Sequence, residues 1–197
     1  MDSKIDIDNM VDHLVLGSEE YPDIADMQEQ ACFYKMERNV TRYAKKFFHL
    51  LCGDDLTNED ILPLVFRDRC EAVFHNDCHM GQIKVSKFYP KQAEISIVLP
   101  RRTKHAYLHK SFKRTIRHEL IHYYLWIKDV PWEDNTALFW AYCYIFDAEA
   151  YKPLSDEEQA KYDKFLKRSN EATSIRSLTR LAAEIILNDA VSSIITI

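Results

Sequence analysis

A chain of 197 residues, 47% hydrophobic and 29% charged, suits one domain with a full core, with or without a helical appendage, and is not the composition of a disordered chain. A formal net charge of -5 argues against a dedicated nucleic-acid binder, and three Gly with six Pro exclude a turn-dense all-β fold or long flexible linkers. Five Cys at irregular spacing (Cys32, Cys52, Cys70, Cys78 and Cys143), with no C-x-x-C pair, predict reduced thiols; the acidic start MDSKIDIDNM and the lack of a membrane-length apolar run predict a cytoplasmic protein with no membrane partner.

Residues 1–23 alternate acids with aliphatics such as Ile5, Ile7, Val11, Leu14 and Leu16, which predicts an N-terminal arm, either irregular or a short docking helix. Residues 24–51 place Met27, Cys32, Tyr34, Met36, Val40, Tyr43, Phe47, Phe48 and Leu51 on one broad apolar face. They predict a long helix that Gly53 stops. Between 61 and 99 the period changes. The runs ILPLVF, EAVF, QIKVSKFY and EISIVL are short and rich in β-branched and aromatic residues, so they read as strands. A turn at Tyr89-Pro90-Lys91-Gln92 joins the last two as a hairpin. The expectation is a small, mostly antiparallel sheet of three or four strands.

Two stretches here carry chemistry that admits two readings each. HNDCHM holds His75, Asp77, Cys78 and His79; it reads first as a turn between strands, with a second metal site or a substrate-positioning role as the alternative. Residues 101–117 are basic, with Arg101, Arg102, Lys104, Lys110, Lys113, Arg114 and Arg117. They form a solvated face, or else a cationic rim that would draw in an acidic protein or a nucleic acid.

Residues 110–126 then place Phe112, Ile116, Leu120, Ile121, Tyr124 and Leu125 at helical spacing, and within them lies His118-Glu119-x-x-His122. Residues four apart share a helix face, about one turn of ~5.4 Å apart. A lone His near an apolar face is ordinarily a hydrogen-bonded core residue. Two at this spacing can bind one Zn²⁺, and the Glu beside the first can reach a water on the metal. Pro131 breaks the helix; a further helix is expected over 133–151, ended by Pro153, and two more over 155–167 and 171–192. SDEE at 155–158 is a capping-box start, and the closing AVSSIITI is apolar enough to be buried. A catalytic zinc takes a third protein ligand. Glu133 and Asp134 lie where the returning chain arrives first, with Asp147 and Glu149 further on.

The run IKVSKFYPKQAEISIVLP, a basic stretch and then TIRHELIHYYL resemble the SprT-like zinc metallopeptidases over about residues 32–151, most sharply in HELIHYYL. The resemblance implies an α+β fold with a zincin-like core: a long N-terminal helix, a small sheet, the HExxH helix and a following helix, with C-terminal helices added here. Residues 1–151 would be that domain and 152–197 a helical extension packed on it. In that family the third ligand is a His about a dozen residues past the second motif His, followed closely by an aromatic; these positions fall on Asp134 and Phe139. Asp for His is a departure, though a carboxylate oxygen is an accepted zinc ligand. The Cys-rich zinc ribbon of larger members has no counterpart, and DNA engagement that depends on it is not carried over. The implied activity is hydrolysis of peptide bonds in a protein or peptide substrate, with Zn²⁺ on His118, His122 and Asp134 and with Glu119 activating the water. The alternatives are a non-catalytic binding or regulatory protein that retains the fold, or, with Glu149 as ligand, a likeness to the ImmA/IrrE-type regulatory peptidases.

Overall fold

A computed structural model describes residues 23–52, 62–68, 81–85, 92–99 and 110–187. The N-terminal arm, Gly53, the EAVF run, HNDCHM, the hairpin turn at 89–91, the basic residues 101–109 and the closing apolar run lie outside them. The described elements are α1 (Asp23–Cys52), β1 (Leu64–Asp68), β2 (Gly81–Val85), β3 (Ala93–Leu99), α2 (Lys110–Ile127), α3 (Ala137–Ile145), α4 (Asp156–Ser169) and α5 (Ile175–Leu187). The fold is mixed α and β and mostly helical, as expected. Among the described residues, no helix is long and apolar enough to cross a membrane.

In α1, Met36, Val40, Ala44, Phe47, Phe48 and Leu51 recur every three or four residues and are buried, which is the stripe a helix needs to dock. They meet α2 and β3. In α2, Phe112, Ile116, Leu120 and Tyr124 form the matching stripe. Phe48 packs 5.5 Å from Tyr123 between ring centroids, closing this pair.

The sheet has the order β1-β3-β2. β2 and β3 pair antiparallel, with Ile83 opposite Ile95, as the hairpin reading requires. β1 instead runs parallel to β3, with Leu64 opposite Ile95 and Phe66 opposite Ile97. The described sheet is therefore mixed, half parallel, and the expected mostly antiparallel arrangement is corrected. Alternation marks a strand but not its neighbour, and all of residues 69–92 separate β1 from β3, enough chain for the crossover a parallel pair needs. Ile95 to Leu99 are buried without alternation because β3 is the central strand.

The helix expected over 133–151 is shorter and spans Ala137–Ile145. Thr136 is extended (φ -109°, ψ 145°) and its side chain accepts the Phe139 N–H, so the helix starts there. It ends because Asp147 is left-handed (φ 50°), while Ala148 N–H donates to Cys143 O and Asp147 N–H to Tyr144 O. That is a Schellman end. α2 finishes in the same way: Val130 N–H donates to Leu125 O, Asp129 N–H to Trp126 O, and Asp129 has φ 55°. Glycine would be usual at both positions; aspartate is among the few other residues that tolerate them.

α3 is buried through Ala137, Leu138, Phe139, Ala141, Tyr142 and Cys143, almost all round. α2 covers it on one side, and α4 and α5 pack against it and each other. Phe165 of α4 and Ala182 and Ala183 of α5 are fully buried in this contact. Ser155 accepts the Glu158 N–H at 3.4 Å, as the capping box predicts. The Glu158 carboxylate goes elsewhere, accepting from Ala137 N–H at 2.6 Å and from Lys161 Nζ at 2.6 Å. It caps α3 rather than its own helix.

Candidate metal centre

α2 is buried on two sides, one facing the core and one carrying His118, Glu119 and His122, which are 5%, 5% and 4% exposed. One helical turn sets the two rings edge to face, with centroids 4.6 Å apart. What turns them is the chain leaving each Schellman end. His118 Nδ1 lies 2.6 Å from the carbonyl oxygen of Glu149, two residues past Asp147. His122 Nδ1 meets the carbonyl oxygen of Trp132, three residues past Asp129. A carbonyl only accepts, so both Nδ1 atoms carry the proton and both Nε2 atoms are left with lone pairs. Phe139 of α3 stacks on His122 at 3.9 Å and 14°, and stands edge-on to His118.

Those lone pairs converge. His118 Nε2 and His122 Nε2 are 3.1 Å apart, and Asp134 Oδ1 lies 3.3 Å from the first and 3.2 Å from the second. A tetrahedral ion with bonds of ~2.0–2.1 Å holds its ligand atoms ~3.3 Å apart, so the triangle has the right edge length. Three acceptors facing one another need a positive charge between them, whether an ion or a proton on one ring. His118, Nε2-on to Asp134, has its pKa raised: burial pulls it down, but the hydrogen bond to Asp134, the Glu119 charge and the Glu149 carbonyl outweigh it. Burial lowers His122, against the pull of Asp134. The His118 and His122 rings facing Oδ1, and then the Lys152 ammonium on Oδ2, hold the Asp134 carboxyl far below the usual carboxylate range.

Asp134 sits in the loop before α3, not inside a helix. Trp140 Nε1–H donates to its carbonyl at 2.8 Å, and Thr136 ties back to Glu133 O through both its N–H and its hydroxyl. Its second oxygen, Oδ2, is 3.0 Å from Lys152 Nζ.

Glu119 Oε1 stands 4.0 Å from His118 Nε2. Burial raises its pKa to about 7, against the pull of His118 and of a hydrogen bond from the Ile83 backbone. β2 passes so near that a Cβ on Gly81 would lie 2.7 Å from Glu119 Cγ and 2.9 Å from Oε1. Above these groups is an open cleft of about 720 Å³, lined among others by Gly81, Thr115, Trp132 and Tyr151.

The other ligand candidates point elsewhere. Glu133 is exposed and its carboxylate accepts the Trp132 N–H at 3.2 Å. Asp147 holds Arg117 Nη2 at 3.2 Å and Arg114 Nε at 3.4 Å. The Glu149 carboxylate binds Arg114 Nη1 at 3.1 Å and Tyr151 Oη at 2.5 Å, so Glu149 serves the centre through its backbone carbonyl. Arg114 and Arg117, read in sequence as part of a basic face or rim, are spent in these contacts. Sequence reasoning missed Gly81, Tyr151 and Lys152; among three glycines, one opening a strand was the available signal. The chain matches no described protein family, no curated protein and no solved structure.

Proposed function

We propose that this chain is a zinc-dependent metallopeptidase, and that the likeness to the SprT-like enzymes and their zincin core is part of this reading. The observation that carries it is the meeting of two Nε2 atoms and one carboxylate oxygen at 3.1–3.3 Å beside a buried Glu119. Two imidazoles and a carboxylate also suit Fe²⁺. The neighbouring Glu119, a buried carboxylate with Oε1 4.0 Å from His118 Nε2, stands where a proton would have to move beside the ion and so favours hydrolysis. His118, His122 and Asp134 would hold the ion. Zinc bound there supplies a Lewis acid that acidifies water and polarises a carbonyl.

The chain's own residues do the rest. Glu119 takes a proton from the attacking water at its carboxylate and passes it to the leaving amine, so one proton moves twice and the residue ends as it began. The Ile83 N–H fixes the carboxylate's orientation, and Gly81 leaves it room. Trp132, edge-on to His122, and Tyr151, against His118, wall the cleft in which an extended peptide would lie.

The test is metal analysis of the purified protein together with Glu119→Gln and His122→Ala variants. The expected result is about one zinc per chain, lost in His122→Ala, and retained in Glu119→Gln with peptide hydrolysis lowered ~10²–10⁴-fold. A wild-type chain that takes up no metal sinks the reading. A Glu119→Gln chain that keeps its biological effect favours the binding-protein alternative instead.

A further inference from the structure

We infer that Lys152 is a positioning residue for the third ligand: its ammonium holds Asp134 as a one-oxygen donor with Oδ1 turned to the histidines. This rests on the metal centre proposed above. Histidine, the third ligand that the SprT resemblance implies, has one donor atom to aim and a ring to aim it with. Aspartate has two equivalent oxygens on a short side chain, and nothing in the carboxylate itself selects one. Here the two are distinguished. Oδ1 faces His118 Nε2 at 3.3 Å and His122 Nε2 at 3.2 Å, while Oδ2 is taken by Lys152 Nζ at 3.0 Å.

The route of the chain explains how a lysine comes to be there. Arg114 and Arg117 of α2 pin the segment after α3, through Asp147, the Phe146 carbonyl and the Glu149 carboxylate. The Glu149 carbonyl is fixed by His118, and Tyr151 lays its ring 5.1 Å from that of His118. The next residue is therefore delivered beside Asp134. Asp134's side chain is 19% exposed, whereas that of Lys152 is 68% exposed. An ion pair with so exposed a partner contributes little to folding, so the contact has its effect at the site.

Two effects of the ammonium oppose each other. Its charge repels an incoming cation, but water around the exposed head screens that repulsion. Its hydrogen bond to Oδ2 is direct and charge-assisted, and it sets the ligand's orientation before the ion arrives. Orientation wins. Removing a partner of this kind ordinarily weakens metal binding about 10–100-fold.

The experiment measures zinc affinity by chelator competition on the full chain, with the melting temperature of the metal-free protein as a control on folding. Lys152→Met is expected to bind zinc about 10–100-fold more weakly at an unchanged metal-free melting temperature, and Lys152→Arg to restore affinity to within a few-fold. In an Asp134→His background no second oxygen remains, so adding Lys152→Met should change affinity little or raise it. Wild-type affinity in Lys152→Met, or the same loss in the Asp134→His background, overturns the inference. Should Asp134→His bind no zinc, the Met and Arg variants decide alone. A wild-type chain without zinc affinity refutes the metal centre itself, a different result from a centre that binds and ignores Lys152.

Discussion

Gly81 is held to its identity by space. A methyl there would press within 3 Å of both Glu119 Cγ and Oε1, with Thr115 Cγ2 at 3.1 Å. Either β2 retreats or Glu119 turns away from the histidines. On the proposed reading, Gly81→Ala is expected to retain zinc binding and to lower hydrolysis by ~10²-fold, the usual cost of a displacement near 1 Å at a reacting group. Urea unfolding should show a stability loss of about 1–3 kcal/mol from overpacking. Full activity in this variant would mean that the Glu119 position does not matter. His118, Glu119 and His122 were legible in sequence because helical spacing alone puts them on one face. The returning chain offers Glu133 and Asp134 together, and the resemblance selects Asp134 and adds Phe139. Gly81, Tyr151 and Lys152 were not legible, since only tertiary contact brings them to the cleft, and no periodicity records that.

At the scale of elements, α1, α2 and the hairpin strands announced themselves by period; the ends of α1, α2 and β3 fall within a residue or two of expectation, and residues 86–89 of the QIKVSKFY run lie outside the described ones. α3 did not: apolar residues continue past Ile145, but the left-handed Asp147 stops the helix while the apolar pattern runs on through Phe146 and Ala148. The pairing of β1 was hidden because strand sequence does not name a neighbour. Glu158 reaching from α4 to the start of α3 was equally invisible, and it leads to a pH prediction. Burial pushes its pKa up, but the Ala137 N–H and Lys161 outweigh that and hold it below the ordinary value. A carboxylate lowered in the folded state stabilises fully above its unfolded pKa, ~4.3, and loses that contribution as pH falls through the folded value. Glu158→Ala should therefore cost about 1 kcal/mol at neutral pH, typical of a lost helix cap, and much less in acid. Denaturation curves at pH 7 and pH 3 would show it; an equal loss at both would rule out the charge.

At the scale of the molecule, the described residues share one core that runs from α1 through the sheet and α2 to α3, α4 and α5. Helix α3, which carries Phe139 beneath His122, is apolar nearly all round and takes cover from the two last helices, the segment that the sequence predicts as a packed extension. Phe165, Leu181, Ala182 and Ala183 supply it. Phe165→Ala is expected to cost ~3–5 kcal/mol, and a chain cut after residue 153 to lose its cooperative melt. A truncated chain that melts like the full one would show that residues 1–153 stand alone.

The paired reversals at Asp129 and Asp147 bear on more than geometry. Each imidazole is aimed by a carbonyl that reaches it only after a helix has ended and the strand of chain beyond has doubled back. A divalent cation would then recognise a finished architecture and ignore an open one, fastening helices α2 and α3 together like a clasp. Zinc at a hundredfold excess over its Kd should add ~2.7 kcal/mol to unfolding, seen as a rise in Tm that a chelator reverses.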